Sequence, residues 1–494
     1  MRNAVTIRRL ATGVPGLDAV LGGGLPEYSF NLISGPASAG KTTLAHQVMF
    51  SLATPANPAV YFTLFGEPML KMLRYQQQFS FFDSDKIGKS IRFVDLADDM
   101  AAGSFDQVLA KVEAEVKASG ATTVFVDSIH GLLVNAQTHR RGATNLQYFI
   151  QQLGSLLSSW QATTFLISGH ATDADGQPIR TMADGLLELS QSTDGNSMVR
   201  KMTAVKVRGQ ETSPGAHTFR ISRDGVEVFP AALAFVNTAA APPEHLAASG
   251  GRLRLPMGVP RLDEMLGGGL PSGYSLLVAG PSGSGKTVLA TAFLAEGVRG
   301  GETGVMVAFE QTPSYALNPT IAELVRAGGV GLINTRSLDL SVAEIVQRLL
   351  HLIHDMKATR VVIDSLSGFE LAVAPTFRQD FRESLFRMIA ALSGRGVTVL
   401  MTSEIEDRYS DLRFSPYGSA FLTDAIIVQR YLEVQSRLKR VMAVVKVRDS
   451  DHCKELREFE ITESGIVIGD PILAYEGLLG GRPTRAQAPH PDGS

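Results

Sequence analysis

Cysteine is almost absent, since Cys453 is the single cysteine among 494 residues. One cysteine cannot form an internal disulfide, so a disulfide-stabilised scaffold is excluded and a reducing cytoplasm is the expected location. Long apolar runs are also lacking, because none reaches the roughly 20 residues needed to span a bilayer. The N-terminus has basic residues but no apolar segment with a cleavage site, so neither a secretory signal nor a membrane partner is expected.

The chain also lacks an excess of positive charge. Lys and Arg total 46 against 49 Asp and Glu, which gives a formal net charge of −3. No global positive field therefore attracts nucleic acid, although local basic patches are compatible with this balance. A chain of 494 residues, 44% of them hydrophobic, exceeds the size of a single core, so two large globular domains are expected.

An internal repeat organises the sequence. The segment TGVPGLDAVLGGGLP from Thr12 matches MGVPRLDEMLGGGLP from Met257, at an offset of 257 − 12 = 245, and Lys41 and Lys286 keep this offset. A match of this length indicates two copies of one fold. An Ala- and Pro-rich segment between the copies is typical of a linker. We therefore predict a first domain at residues 1–230, a linker at 231–251, a second domain at 252–476 and a flexible tail at 477–494.

Within each copy, apolar strand-like runs alternate with helical segments. The strand-like runs of the second copy are SLLVAG, TGVMVAF, RVVIDS and VTVLMTS, and one helical segment is SVAEIVQRLLHLIHDM. Strands that are apolar on both faces belong in a sheet that is buried on both sides. The alternation predicts an α/β fold, with mainly parallel sheets flanked by helices.

Both copies contain the phosphate-binding pattern G-x-x-x-x-G-K-[ST] between an apolar strand and a helix-compatible run. Its glycines let backbone N–H groups turn toward phosphates, and the next helix presents its positive end. Lys41 and Lys286 are expected to reach the β- and γ-phosphates of ATP, and Thr42 and Thr287 to bind Mg²⁺. The predicted nucleotide-binding residues are Gly35, Pro36, Ala37, Ser38, Ala39, Gly40, Lys41, Thr42 and Thr43, and Gly280, Pro281, Ser282, Gly283, Ser284, Gly285, Lys286, Thr287 and Val288.

An aspartate closes a further apolar strand in each copy, Asp127 in VFVDS and Asp364 in VVIDS. Such a residue is usually only a turn former when it occurs alone. Because each follows a P-loop, we expect both to hold Mg²⁺ through its hydration shell.

Hydrolysis also requires a group that orients or deprotonates water. Glu310 in MVAFEQTP lies at a strand end that faces the nucleotide crevice of a parallel sheet. The first copy reads YFTLFGEP there, so its acid is Glu67, at 67 − 41 = 26 residues from the P-loop lysine rather than 310 − 286 = 24. Glu310 and Glu67 are therefore catalytic candidates, with a solvated surface glutamate as the alternative for each.

These residues resemble the KaiC family of tandem RecA-like P-loop ATPases. The resemblance covers nearly the whole chain, and its most specific elements are the paired P-loops, FEQTP, VIDS and two late K-x-R motifs. It implies two RecA-like domains that use ATP and Mg²⁺ within a homohexameric ring. In the family an acidic pair follows the second strand, so Gln311 beside Glu310 and Gly66 beside Glu67 imply altered rates, and the first domain is expected to bind ATP more than hydrolyse it.

The family's K-x-R motif reaches the γ-phosphate held by the neighbouring subunit. It corresponds here to Lys206 and Arg208 in the first copy and to Lys446 and Arg448 in the second, and such cations stabilise the transferring phosphoryl group. The alternative is a basic edge strand with two solvated side chains. The resemblance also places His452 beside the nucleotide, although a lone histidine is more often structural.

Clock-type members of the family autophosphorylate adjacent Ser and Thr before a TDTII strand. Aligned on TDAII, those positions hold Ala420 and Phe421, so the usual acceptors are absent. The nearby hydroxyl residues, none of them in register, are Ser415, Tyr417, Ser419 and Thr423.

Three functions remain open from the sequence. The first is an ATP-hydrolysing ring whose nucleotide state controls binding of an unidentified regulatory protein. The second is a Ser/Thr autokinase with shifted acceptors. The third is a RecA-like DNA recombinase or helicase motor, against which stand the acidic balance and the lack of an aromatic and basic loop. A shared fold cannot decide among them.

Overall fold

The chain is described from a computed structural model, in which it divides into two compact units, residues 1–234 and 235–494. No helix among the described residues is both long and apolar enough to cross a membrane. The residues that the structure describes are 7–64, 69–101, 105–128, 148–149, 151–156, 159, 161–169, 177–194, 197–231, 253–309, 318–334, 341–373, 381–405, 423–434, 436–472, 475–476 and 484–485.

Among its described residues, the first unit is built on a nine-stranded sheet and a short two-stranded one. Its strands are β1 Arg9–Leu10, β2 Leu25–Pro26, β3 Phe30–Ser34, β4 Ala59–Thr63, β5 Ile91–Asp95, β6 Thr123–Asp127, β7 Thr163–Ser168, β8 Gly185–Asp194, β9 Ser197–Val207, β10 Ala216–Ser222 and β11 Gly225–Phe229. Its helices are α1 Leu17–Val20, α2 Lys41–Leu52, α3 Met69–Gln76, α4 Ala97–Ala101, α5 Phe105–Ser119 and α6 Gln177–Met182, with a 3₁₀ turn at Ser84–Lys86.

The second unit repeats this architecture. Its strands are β12 Arg254–Leu255, β13 Leu270–Pro271, β14 Ser275–Gly280, β15 Gly304–Ala308, β16 Val330–Asn334, β17 Arg360–Asp364, β18 Thr398–Glu404, β19 Ala425–Val434, β20 Arg437–Val447, β21 Arg457–Thr462, β22 Gly465–Pro471, β23 Tyr475–Glu476 and β24 Thr484–Arg485. Its helices are α7 Pro260–Met265, α8 Lys286–Arg299, α9 Pro319–Arg326, α10 Val342–Met356, α11 Leu366–Ala372 and α12 Phe381–Ser393.

The strand that leads into each P-loop lies in the middle of its sheet. The first sheet has the order β11-β10-β9-β8-β3-β7-β6-β4-β5. The second sheet has the order β16-β15-β17-β18-β14-β19-β20-β21-β22, which corresponds to the first when it is read from the opposite end. Strands β3 and β14 pair in parallel with both neighbours, whereas β9 to β11 and β20 to β22 extend each sheet antiparallel. The predicted α/β fold with mainly parallel sheets is confirmed, while the limits of linker and tail stay predictions.

Both faces of the central strands are buried, as their apolar sequences indicate. In β14, Leu277 and Ala279 belong to one hydrophobic cluster, and Leu276 and Val278 to the cluster on the opposite face. Helix α10 covers one of these faces with its apolar stripe, and its N-terminus is capped by the Ser341 hydroxyl, which accepts a hydrogen bond from the Glu344 N–H at 3.1 Å. This buried sheet positions the loops that follow the ends of its strands, among them the P-loop after β14.

Candidate functional site

Each P-loop joins its central strand to a helix through a glycine in the left-handed region. Gly40 and Gly285 precede α2 and α8 with φ of 96° and 105°. A glycine has no side chain to cap the helix, so the first-turn N–H groups remain available to an anion. The fourth residues of the two loops differ, because Ser38 has a φ of 63° where its counterpart Gly283 has 75°. Serine adopts this conformation at a cost that glycine avoids.

The P-loop lysines curl back over their own loops. Lys41 Nζ donates to the carbonyls of Gly35 and Pro36 at 2.9 and 2.7 Å, and Lys286 Nζ does the same to those of Gly280 and Pro281 at 2.9 and 2.8 Å. These bonds place each ammonium group at the mouth of the loop, where it would meet phosphate.

The pKa of both P-loop lysines is lowered from its ordinary value. Burial lowers the pKa of Lys41 and of Lys286. Negative charge opposes this effect, from Asp127 in the first copy and from Glu404 and Asp364 in the second. Glu404 follows from the strand pairing, since it lies opposite Gly280, where the second P-loop begins. It was not among the sequence-predicted site residues.

The remaining P-loop residues take different roles. Thr43 and Val288 lie half-buried in the first turns of α2 and α8. Ser284 is fully buried and donates to the Gln429 side chain at 3.0 Å, and Ala39 is buried at the equivalent position. These two positions can therefore offer only backbone to a phosphate. The loop residues with side chains partly or fully exposed are Pro36, Ala37, Ser38, Pro281 and Ser282.

A threonine hydroxyl meets an aspartate carboxylate at the end of both P-loops. Thr42 Oγ1 donates to Asp127 Oδ2 at 2.8 Å, and Thr287 Oγ1 donates to Asp364 Oδ2 at 2.7 Å. Hydroxyl and carboxylate oxygens are the hard ligands that Mg²⁺ prefers, and Mg²⁺ keeps several waters beside one or two such groups. The residues present therefore fit a magnesium ion bound together with a nucleotide triphosphate.

The two aspartates differ in their second hydrogen-bond donor, which the sequence did not reveal. The buried Tyr61 hydroxyl donates to Asp127 Oδ2 at 2.7 Å, whereas Thr402 Oγ1 donates to Asp364 Oδ1. Burial and the negative charge of Asp127 raise the pKa of Tyr61 well above its usual value, so Tyr61 remains a donor. At the position equivalent to Tyr61 the second copy has Met306, 306 − 61 = 245 residues on.

Several sequence predictions fall outside the described residues. They concern the candidate acids and their neighbours, Gly66, Glu67, Glu310 and Gln311, and the segment with Ser415, Tyr417, Ser419, Ala420 and Phe421. Thr423 lies within the described residues and is fully buried.

Each K-x-R motif lies near the start of the central strand of its unit, whereas the P-loop follows the end of that strand. We call the side of the sheet with the K-x-R motif the K-x-R edge. The Arg448 N–H donates to the Asp424 carbonyl at 2.8 Å, and the Asp424 N–H donates to the carbonyl of Ser275, the first residue of β14, at 2.9 Å. The P-loop begins five residues later at Gly280, about 17 Å along a strand. In the first unit Arg208 and Asp184 make the same backbone contacts beside Phe30, at 2.9 and 2.7 Å.

The side chains of these motifs face solvent or their own unit. Arg208 pairs with Asp184 at 3.0 Å and Arg448 with Asp424 at 3.1 Å, with 59% and 51% of the arginine side chains exposed. Lys206 and Lys446 donate to backbone carbonyls of Thr181 and Thr423. Burial, followed by repulsion from the neighbouring arginine, lowers the pKa of both lysines.

His452 lies in the segment that follows β20, close in sequence to Arg448. Its side chain is half-buried, and its backbone N–H donates to Asp451 Oδ1 at 3.0 Å. The structure therefore groups His452 with the K-x-R edge. Comparing the repeats could have revealed Asp184 and Asp424 earlier, because their offset of 424 − 184 = 240 equals that of the K-x-R lysines, 446 − 206 = 240.

Comparisons with known proteins extend over both units. A family model described as "ATPase: KaiC" matches residues 10–232 and 255–472. Among curated proteins, "Circadian clock oscillator protein KaiC" of Thermostichus vulcanus is 26% identical over 505 residues, covering 98% of this chain and 93% of its own length. The protein of the same name from Rippkaea orientalis is also 26% identical, covering 97% and 92%. "Circadian clock oscillator protein KaiC 1" of a Synechocystis strain is 24% identical, covering 97% and 92%.

Proposed function

This chain belongs to the KaiC family of ATPases, and on that basis we propose that it hydrolyses Mg²⁺-bound ATP at sites completed between neighbouring copies in a homohexameric ring. The nucleotide state of the ring would control the binding of a regulatory protein. Support comes from two P-loops with the same lysine, threonine and aspartate arrangement.

Within one copy, the proposed roles follow from these contacts. Lys286 Nζ at the loop mouth would neutralise charge on the β- and γ-phosphates, and Thr287 and Asp364 would hold the metal. Mg²⁺, when bound, supplies further neutralisation of the phosphate oxygens. Glu310 would orient the attacking water. Lys41, Thr42, Asp127 and Glu67 would take the same roles in the first domain, with slower hydrolysis because Glu67 has different spacing from its P-loop.

One observation carries the proposal that the sites are shared. Arg448 lies beside Ser275, at the start of the strand whose other end forms the P-loop, so it is on the order of 17 Å away along the sheet. Lys446 and Arg448 therefore cannot reach a phosphate at their own P-loop, yet phosphoryl transfer gains 10³–10⁵ in rate from an arginine in other enzymes. A neighbouring copy would have to receive them, and a closed ring repeats that contact at every interface.

The proposal does not include autophosphorylation or DNA work. Ala420 and Phe421 stand at the acceptor positions of clock-type members and have no hydroxyl to phosphorylate. Thr423, a nearby alternative, is fully buried, so its hydroxyl is not exposed to a nucleotide held by another copy. Single-stranded DNA would have to bind a chain whose formal charge is −3.

The test is a subunit-mixing experiment. Arg448→Ala and Lys286→Ala chains are prepared separately, and each is expected to lose at least about 10²-fold of second-domain turnover. After mixing and verified subunit exchange, some interfaces pair an intact P-loop with an intact Arg448. In equal mixtures this applies to about one interface in four, so turnover should recover toward a quarter of the unsubstituted rate.

Two controls make the result interpretable. All chains carry Arg208→Ala, so that first-domain turnover does not mask the recovery. Turnover with and without single-stranded DNA, followed by mass spectrometry of the incubated chain, separates the ATPase from a DNA motor and from an autokinase. No recovery despite exchange, or full activity in a dilute monomer, would show that the sites are not shared.

A further inference from the structure

We call Arg208 and Arg448 the finger arginines, because each is proposed to enter the ATP site of a neighbouring copy. An aspartate side chain connects each finger arginine to the strand that leads to the P-loop. Asp424 Oδ1 accepts a hydrogen bond from Arg448 Nη1 at 3.1 Å. Its other oxygen, Oδ2, accepts from the Ser275 N–H at 3.0 Å and from Ser275 Oγ at 2.8 Å. Both carboxylate oxygens are therefore engaged, one by the finger and one by the first residue of β14.

The first unit repeats this device independently. Asp184 Oδ1 accepts from Arg208 Nη1 at 3.0 Å, and Asp184 Oδ2 accepts from the Phe30 N–H at 3.0 Å. Phe30 is the first residue of β3, as Ser275 is of β14. The backbone hydrogen bond to the aspartate is thus the same in both units, although the strand residue is Phe30 in one and Ser275 in the other.

We infer that Asp184 and Asp424 are positioning residues, which hold Arg208 and Arg448 in the direction needed to enter the ATP site of the adjacent copy. This inference rests on the proposed function. An arginine side chain that is about half exposed has many accessible rotamers, and ordering it during the reaction costs entropy. A carboxylate that is itself fixed by the P-loop strand removes that disorder in advance.

A conservative variant isolates this role. In Asp424→Asn, the amide oxygen can still accept from Ser275, which directs the amide NH₂ toward the Arg448 guanidinium. An NH₂ group cannot accept from a guanidinium, so the finger loses its anchor while the strand keeps its own. We expect turnover of the second domain to fall by about 10- to 100-fold with ATP affinity changed by less than about twofold.

Stability should change little, because partly exposed ion pairs contribute little to it. The thermal midpoint of Asp424→Asn is expected within about 4 °C of the parent. Glu458→Gln is the matched control, since it removes another ion pair of β20, with Lys439 at 2.8 Å, at a distance from the finger. Turnover of Glu458→Gln should stay within about twofold of the parent.

Subunit mixing decides which part of the site Asp424 serves. In an Arg208→Ala background, Asp424→Asn chains are mixed with Lys286→Ala chains and, separately, with Arg448→Ala chains. If Asp424 acts through the finger, the first mixture recovers turnover and the second does not. If Asp424 instead supports the P-loop of its own chain, the pattern reverses.

The reference mixture of Arg448→Ala with Lys286→Ala separates the possible failures. Recovery in the reference together with the reversed pattern, or with unchanged turnover in Asp424→Asn, overturns the role of Asp424 and leaves the shared site intact. No recovery in the reference overturns the shared site, and the role of Asp424 with it.

Discussion

The two aspartates that we propose to bind Mg²⁺, Asp127 and Asp364, are oriented by different partners. Tyr61 donates to Asp127 from β4, and Thr402 donates to Asp364 from β18. Donors of this kind orient a ligand, and their loss commonly costs 10- to 100-fold in metal affinity. Because Tyr61 is buried and remains protonated, its hydroxyl is a fixed part of the first site.

We predict that Tyr61→Phe weakens magnesium binding in the first domain. In a Lys286→Ala background, the Mg²⁺ concentration that half-saturates ATP binding should rise by about tenfold, because Asp127 loses one of its two donors. Fluorescent nucleotide titrated with Mg²⁺ measures this shift. Met306→Leu in a Lys41→Ala background is the matched control, since Met306 occupies the equivalent position without a hydroxyl. An unchanged Mg²⁺ requirement in Tyr61→Phe would contradict the prediction.

The sequence predicted the residues whose chemistry is written in a local pattern. Lys41, Thr42 and their repeats were found because glycine spacing and strand context define a P-loop. Tyr61 was not found, because within an apolar strand a tyrosine is indistinguishable from core. Its bond to Asp127 depends on β4 pairing with β6 in parallel, a contact between distant parts of the chain.

The segment from β12 to α7 shows how one element differs between the repeats. The Asp263 side chain accepts from the Met257 N–H at 2.7 Å, whereas Asp18 accepts from both the N–H and the hydroxyl of Thr12. Burial raises the pKa of Asp263 to about 6; the Met257 N–H opposes this shift, Glu296 adds to it and Arg360 opposes it. Methionine cannot supply the second donor that threonine provides.

Stability of the second domain should therefore depend on pH through Asp263. The folded pKa of about 6 exceeds the ordinary 3.8, so the fold favours protonated Asp263. Protonated Asp263 therefore stabilises the folded domain fully below pH 4, and this stabilisation is lost as pH rises through 6. Calorimetry should show that Asp263→Asn melts at the parental temperature near pH 4 and above it at pH 7.

Asp18→Asn in the first domain provides the comparison for this experiment. It removes the corresponding carboxylate from a site with two donors from Thr12. A melting temperature of Asp263→Asn that runs parallel to the parent across pH 4 to 7 would exclude titration of Asp263 as the cause.

The fold as a whole was predictable because the same periodic pattern occurs twice. Alternating apolar strands and helices predicted parallel sheets, and the repeat predicted two of them, as the corresponding strand orders show. The antiparallel strands β20 to β22 were less accessible, because their pairing is set by connections rather than by composition. Because β20 runs antiparallel to β19, it ends with Lys446 and Arg448 near the start of β14, at the end of that strand opposite the P-loop.

A chain with its finger arginines at the K-x-R edge should assemble only when nucleotide is present. If ATP is held by the P-loop of one copy and by Arg448 of the next, as we propose, its binding free energy would contribute to the interface, and assembly would follow ATP concentration by mass action. We predict particles of about 317 kDa, six times 52.9 kDa, in Mg²⁺-ATP, and smaller ones after nucleotide removal. Mass photometry measures both.

Variants connect this assembly to the two kinds of residue. Lys41→Ala combined with Lys286→Ala should stay dispersed in ATP, because neither P-loop then retains nucleotide. Arg208→Ala combined with Arg448→Ala should still bind ATP but require more of it to assemble, since each interface loses an arginine contact to phosphate. Rings of equal mass without nucleotide, or in the double-lysine variant, would mean that protein contacts alone close the ring. ATP binding would then not be required for assembly.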